Sequence, residues 1–572
     1  MFRTLHPRYF ARRLFAPLVL GTFLSCVCHG QESNPDDFVD LSLLVAPEYP
    51  CTWPTGFPPF QIRQYIRIGG DSVYNSDILT IDGNTSTQMD VPPHSIPRPG
   101  TNLPNEGPLG LQFTDKTPAW RFVGEACVID VRELLDTAPP GVSSLVQKIH
   151  IEKWEASNRP LGPGDVALLR SDYSDTYYKP FPAGRRFIAE PLEGKAPGWP
   201  DPHPEAMEYM AAKGVTAVGT DSPSMGPIPD LGEPTHYAGL KYGAIFTEGA
   251  TGLGQLPVTG AFYCAIGPRH VLGPYGECRA FAIKPGRLAT WLNGAAREKK
   301  VVDLSVVLSP DLPVSLTGLG VGNHRHPYTK ADFLYSPTLD LYHHTHMMDS
   351  HTGTHLVPPS YSLPEPGFRA REHSGKVRGW LRDYEREFGR RGYSEVTTES
   401  VPLSHTCGWA RIIDVVELVG STSHDTWPRS PRITLDMIRQ YENSTGALEA
   451  GEVVLFRTGH NDRTFRPAPD NTGCVADPVN GVTEGWPAPG PGVIKYLASR
   501  GIRCVGTDAP TVGGVEPRNA AMTYWALGSE GMVAVEFLIG LEGLPRKTYF
   551  IFAAIKIRDC HGGPGRAIAL TE

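Results

Sequence analysis

The most conspicuous chemistry in the sequence is a run of imidazoles. Residues 343–355 read His-His-Thr-His-Met-Met-Asp-Ser-His-Thr-Gly-Thr-His, which places His343, His344, His346, His351 and His355 close together. Imidazole is the commonest neutral ligand for zinc and related ions, and closely spaced pairs can share one ion. The competing reading is a polar, solvent-facing strand and loop. The sequence holds no Gly-x-Ser-x-Gly elbow and no Gly-x-x-x-x-Gly-Lys-Ser/Thr loop. A serine hydrolase and a nucleotide-driven enzyme therefore have no support.

The elements that must position these residues are written twice. Val39-Asp40-Leu41-Ser42 recurs as Val302-Asp303-Leu304-Ser305, and Ile129-Asp130-Val131 as Ile413-Asp414-Val415. Gly164-Asp165-Val166 recurs as Gly451-Glu452-Val453, Gly198-Trp199-Pro200 as Gly485-Trp486-Pro487, and Gly219-Thr220-Asp221 as Gly506-Thr507-Asp508. The offset rises from 263 to 287 residues and then holds, as a tandem duplication with insertions in the second copy would give. The period is too long for a solenoid unit, so each copy is a domain. Copy one spans 36–284 and copy two spans 300–572. The join, 285–299, runs into the basic stretch Arg297-Glu298-Lys299-Lys300 and is expected to be an exposed linker.

Within each copy a helix-forming stretch (205–213; 493–500) precedes a short apolar strand (215–218; 502–505), and 166–169 and 453–456 are further buried strands. The alternation predicts a mixed α/β fold, two tandem copies forming a pseudo-dimer within one chain. The Gly-Thr-Asp segments fall at strand ends, where loops and function tend to sit.

Composition narrows the class. The chain has 572 residues, 40% apolar and 20% charged, which is a folded protein. Its net charge of −8, without a basic patch, excludes a nucleic-acid partner. No apolar run reaches the roughly 18 residues that span a bilayer. In residues 1–30, Arg3, Arg8, Arg12 and Arg13 precede an uncharged run from Leu14 to Cys28, the pattern of a signal peptide. Its removal would leave a chain near −12, secreted or periplasmic. Eight cysteines then remain with no CxxC pair, and they read as buried thiols, with one or two disulfides open to an exported chain.

The order His351-Thr352-Gly353-Thr354-His355 resembles the start of the signature His-x-Gly-Thr-His-x-Asp-x-Pro-x-His of the metal-dependent cyclase family, the kynurenine formamidase and isatin hydrolase type. The resemblance implies an α/β fold and hydrolysis of amide or lactam bonds. In that signature the two histidines and the aspartate bind metal, the last histidine is the acid/base, and a later His and Glu twelve apart complete the shell. Tyr49-Pro50 with Trp53-Pro54 looks like the family's opening substrate loop.

Both copies depart from the signature. In copy one Asn84 and Gln88 stand where the two histidines belong, while Asp90 and His94 remain, with His236 and Glu248 at the expected spacing. In copy two His351 and His355 remain, Val357 and Tyr361 replace the aspartate and the acid/base, Glu536 matches the late glutamate, and Tyr524 replaces the late histidine. The resemblance thus gives copy one a metal shell of Asp90, His236 and Glu248 with His94 as base. Copy two keeps His351, His355 and Glu536 as ligands without a base. Zinc or manganese suits these donors. The function implied is a secreted metal-dependent hydrolase acting on an aryl-formamide, lactam or other cyclic amide. The alternative is a cyclase-like binding or structural protein that kept the fold and lost the chemistry, with Asp90 and His94 serving a turn. A composite site, with Asp90 and His351 on one ion, is a third arrangement. A higher oligomer stays open.

Overall fold

In the computed structural model the described residues are 34–316 and 328–572, and the signal peptide expected over 1–30 lies outside them. The principal strands of copy one are β1 (Phe38–Asp40), β2 (Gln61–Ile66), β3 (Ser76–Asp82), β4 (Gln88–Asp90), β5 (Val123–Asp130), β6 (Asp165–Arg170), β7 (Ala217–Thr220), β8 (Ile245–Glu248), β9 (Phe262–Ile266), β10 (Arg269–His270), β11 (Tyr275–Glu277) and β12 (Arg279–Ile283). Those of copy two are β13 (Val301–Asp303), β14 (Thr329–Ser336), β15 (Leu341–Asp349), β16 (His355–Val357), β17 (Cys407–Asp414), β18 (Val453–Arg457), β19 (Cys504–Thr507), β20 (Val533–Glu536), β21 (Thr548–Ala554) and β22 (Gly563–Thr571). Three helices matter below: α1 (Gly232–Leu240), α2 (Arg287–Arg297) and α3 (Pro517–Ser529).

Each copy builds one large mixed sheet. Its order is β1-β12-β9-β5-β6-β7-β8-β4-β11 in copy one and β13-β22-β16-β20-β19-β18-β17-β21 in copy two. The middle strands β5 to β8, and β17 to β20, run parallel. Val166, Ala167, Leu168 and Leu169 on β6 are all buried, as are Val453 to Phe456 on β18. Continuous apolar strands are what a sheet covered on both faces requires. Helices cover one face, with apolar cores beneath them in each copy.

The other faces meet across the two copies. One apolar cluster joins Cys264, Phe281 and Ile283 of copy one to Cys407, Tyr549, Ile551 and Leu570 of copy two. Helix α2 belongs to it: Ala289, Leu292, Ala295 and Ala296 are buried, and Trp291 packs against Trp409 at 4.9 Å. The segment expected to be an exposed linker is therefore an amphipathic helix with a buried face. Its apolar residues recur at helical spacing ahead of the basic end that suggested exposure. Ion pairs repeat the relation: Asp40 meets Arg279 at 2.9 Å and Lys556 at 2.6 Å, while Asp303 meets Arg566 at 2.5 Å and Arg269 at 3.4 Å.

A second joint is a four-stranded sheet, β14-β15-β3-β2, made of one hairpin from each copy. β3 and β15 pair antiparallel, with Asp82 opposite Thr345, Thr80 opposite Met347, and Ile78 opposite Asp349. Thr80 thus faces its own repeat equivalent, Met347, and the pairs Asp82–Thr345 and Ile78–Asp349 are equivalent to each other, the register of a local two-fold. The histidine run is a strand, but not a solvent-facing one: His343, His344 and His346 are buried. All eight cysteines among the described residues are buried free thiols.

Candidate active site

Copy one gathers its acidic and imidazole groups at the ends of β4 and β8 and on α1. β4 lies between β8 and β11, with Asp90 opposite both Phe246 and Tyr275 and Gln88 opposite both Glu248 and Glu277. Pro92 and Pro93 then force a tight turn that brings His94 back over Asp90, Nε2 to Oδ2 4.0 Å. On α1, His236 Nδ1 donates to the Gly232 carbonyl at 2.8 Å. That bond turns Nε2 toward Asp90 at 3.4 Å and Glu248 at 3.3 Å. Glu248 is itself held, accepting the Met225 N–H at 2.5 Å and the Gln88 side-chain amide at 2.6 Å.

Asp90 is fully buried, and apart from the facing imidazoles of His236 and His94 its oxygens meet no hydrogen-bond donor. Burial raises its pKa to about 7, and the Glu248 charge adds to the shift. Burial works against the charge on His236, yet the two carboxylates outweigh it and hold the imidazole well above its usual range. His94 moves the other way: burial, reinforced by His236, keeps it neutral well below its usual pKa. Perturbed carboxylates and imidazoles with opposite shifts mark a functional cluster. Donor atoms of Asp90, His94 and His236 lie within 4.8 Å of one another. Two carboxylates and an imidazole around one point are a donor set for a divalent cation, and Asp90's bare oxygens fit that role.

A cavity of about 290 Å³ opens onto His94, His236 and Glu248. Trp53 and Phe57 wall one side, and Tyr335, Leu339 and Leu341 of copy two's β14–β15 hairpin wall another. The sequence pointed to Trp53 through the opening loop but gave no sign of the hairpin. Its role depends on pairing between residues more than two hundred positions apart.

Copy two is built alike and filled differently. His355 Nδ1 donates to the Gly353 carbonyl at 2.8 Å and its Nε2 meets Glu536 at 3.2 Å. His351 sits beside it, ring centroids 5.1 Å apart, with Asp349 and Ser76 each 3.1 Å from its Nδ1. Glu536 takes the Tyr524 hydroxyl at 2.5 Å and the Val512 N–H at 2.6 Å. Tyr361 packs 4.6 Å from His351, Tyr524 crosses Tyr361 at 5.0 Å, and Tyr74 from copy one stacks on Tyr361 at 4.7 Å. Phenol rings occupy the space that His94 and His236 occupy in copy one. Asp90 and His351 fall in these separate clusters, so the composite arrangement is not formed.

A doubled α/β scaffold with a buried carboxylate–imidazole cluster at the strand ends of one copy defines the class. The chain belongs to the putative cyclase family, which it matches twice, over residues 39–227 and 302–513, once per copy. It is 30% identical over 184 residues to isatin hydrolase of Roseibium aggregatum, covering 31% of this chain and 65% of that protein. It is 28% identical over 218 residues to kynurenine formamidase of Salinibacter ruber, covering 37% and 81%. Among solved structures, isatin hydrolase A from Labrenzia aggregata bound to benzyl benzoate shares 22% identity with a TM-score of 0.37, covering 50% of this chain and 99% of that one.

Proposed function

We propose that copy one is a metal-dependent amidohydrolase site that opens an aryl-formamide, lactam or other cyclic amide with water. Copy two is the partner domain that completes its pocket. The observation that carries this reading is Asp90: a buried carboxylate with no backbone or hydroxyl donor on its oxygens, converging with His236 Nε2 and His94. The relatives named above bear on the substrate class, since both names describe cleavage of a cyclic or formyl amide.

Asp90, His236 and Glu248 are the proposed ligands, and zinc or manganese suits them. A bound divalent cation lowers the pKa of water and polarises a carbonyl. The chain's own groups do the rest. Gly232, Met225 and Gln88 fix the orientation of His236 and Glu248 before substrate arrives. His94 is neutral at working pH, so it can take a proton from the attacking water as the new C–O bond forms. It returns that proton to the nitrogen when the C–N bond breaks, a role typically worth ~10²–10⁴ in rate. Trp53 and Phe57 offer the flat apolar walls that an aryl ring prefers.

His351, His355 and Glu536 are proposed to keep affinity for a second cation without chemistry. Tyr361 replaces the proton carrier there and is a poor base near neutral pH. For copy two alone, the tyrosine filling supports the binding or structural reading. Export of the chain by residues 1–30 places the reaction outside the cytoplasm. The test is metal content and amidase turnover for wild type, Asp90→Asn and His94→Ala. Unchanged turnover in His94→Ala overturns the mechanism.

A further inference from the structure

A second buried group of ligand-type residues lies at the joint between the copies. His270 on β10 and Glu277 on β11 come from copy one, and His346 on β15 from copy two. One donor atom of each lies within 4.8 Å of the other two. All three are buried: His270 and Glu277 are 0% exposed and His346 is 1% exposed. His270 Nε2 is 3.1 Å from Glu277 Oε1, and the other oxygen, Oε2, is buried with no hydrogen-bond partner. The two imidazole rings stack at 4.0 Å.

The orientation of the rings is set from behind. The Tyr328 hydroxyl lies 2.8 Å from His346 Nδ1 and 3.4 Å from His270 Nδ1. An oxygen there can accept from both Nδ1–H groups, and in that tautomer both Nε2 atoms present lone pairs on the opposite side, with Glu277. Outer partners of this kind fix the tautomer of ligating histidines. A buried carboxylate oxygen without a hydrogen-bond donor is costly, and a bound cation would satisfy it.

The repeat supplies a control. Counted from the related arginines Arg279 and Arg566, His270 corresponds to Ile557 and Glu277 to Pro564; counted from Asp349 and Asp82, His346 corresponds to Leu79. Leu79 and Ile557 belong to one buried apolar cluster. The scaffold therefore fills this position with hydrocarbon on one side of the two-fold and with ionisable groups on the other. Simple packing explains the first and not the second.

We propose that His270, Glu277 and His346 form a divalent transition-metal site that ties the two copies together across the β3–β15 joint. Two imidazole nitrogens and one carboxylate oxygen suit zinc, with solvent able to take a fourth position. The site is a neighbour of the candidate active site, since Glu277 is paired across from Gln88, but it uses none of that site's proposed ligands.

The test uses the full chain, stripped with chelator, reloaded with zinc, desalted and assayed for metal per chain. His346→Leu and Glu277→Gln are each expected to hold about one equivalent less than wild type, and the double variant no less than either single one. Asp90→Asn, which addresses the other site, is expected to retain this equivalent. Undiminished zinc in folded His346→Leu and Glu277→Gln overturns the proposal and leaves a metal-free hydrogen-bonded stack. Zinc-soaked crystals of the wild type decide independently of either variant. An anomalous peak between the three side chains is expected, and its absence overturns the proposal.

Discussion

The strand ends of copy one and copy two began as the same place and now hold different matter. In copy one, Asp90, His94, His236 and Glu248 leave a cavity with bare carboxylate oxygens. In copy two, Val357, Tyr361 and Tyr524 fill the related volume with apolar surface and a phenol that satisfies Glu536. The fold tolerates both because the shared devices lie outside the site. The Met225 and Val512 amides hold Glu248 and Glu536 alike, and the Asp221 and Asp508 carboxyls anchor the related strand ends alike. A site can thus lose its chemistry while keeping its supports, and supports alone do not identify an active copy.

The sharpest way to break this comparison is to disable copy one. His94→Ala is expected to lower turnover by ~10²–10⁴, with metal content retained. Asp90→Asn is expected to lower both, and measured turnover with metal analysis separates them. Changes in copy two, His355→Ala and Tyr361→Phe, should leave turnover near wild type; a comparable loss there would move the reaction to copy two.

The next largest effect tests why copy two stays closed. Val357→Asp places a carboxylate among Tyr361, Tyr524 and the surrounding apolar core, and is expected to cost ~3–5 kcal/mol as an uncompensated buried charge. Adding Tyr361→His and Tyr524→His with zinc present should recover part of that loss in chemical denaturation. No recovery would mean that the tyrosines hold more than the volume of a lost site.

A third prediction concerns a device that the copies share. Asp221 accepts bonds from the Ser171 amide and hydroxyl and the Asp172 amide, and Asp508 accepts from the Thr458 amide and hydroxyl and the Gly459 amide. Burial dominates in both, raising Asp221 to about 7 and Asp508 to about 6 against the donors' opposing effect. Each native carboxyl therefore keeps a proton that the unfolded chain has released above pH ~4. Stability falls as pH rises from there to about 6 for Asp508 and about 7 for Asp221, by up to ~3 and ~4 kcal/mol respectively, and then levels. In denaturation curves across the window, Asp508→Asn should lessen the slope below about pH 6, and Asp221→Asn should lessen it up to about pH 7 while leaving the share that Asp508 supplies.

The smallest effect is at the hairpin. Tyr335→Ala removes an aromatic wall that copy two lends to copy one's cavity, in contact range of Phe57. KM for an aryl amide is expected to rise roughly fivefold with kcat little changed, as for the loss of ~1 kcal/mol of aromatic contact. An unchanged KM would confine the working pocket to copy one.

Much of this was legible in the chain. The resemblance to the cyclase signature singled out Asp90, His236 and Glu248, and the fold brings His236 beside both carboxylates. The buried strands at 166–169 and 453–456 followed from apolar runs of strand length. Three things were not legible. The basic end of α2 masked an apolar stripe at 289, 292, 295 and 296. The burial of His343 to His346 depends on which strand pairs with β15, and that partner lies in the other copy. His270 and Glu277 carry no local pattern at all, since their partner His346 is supplied by a register set far away in sequence.

The joining of β3 to β15 has a consequence for handling the protein. When a pocket wall is lent by a separate subunit, dilution strips it away; here both hairpins are parts of one polypeptide, so their mutual encounter does not depend on protein concentration. Specific activity should hold steady down to the most dilute assay, and mutations in one half need not be mirrored in the other.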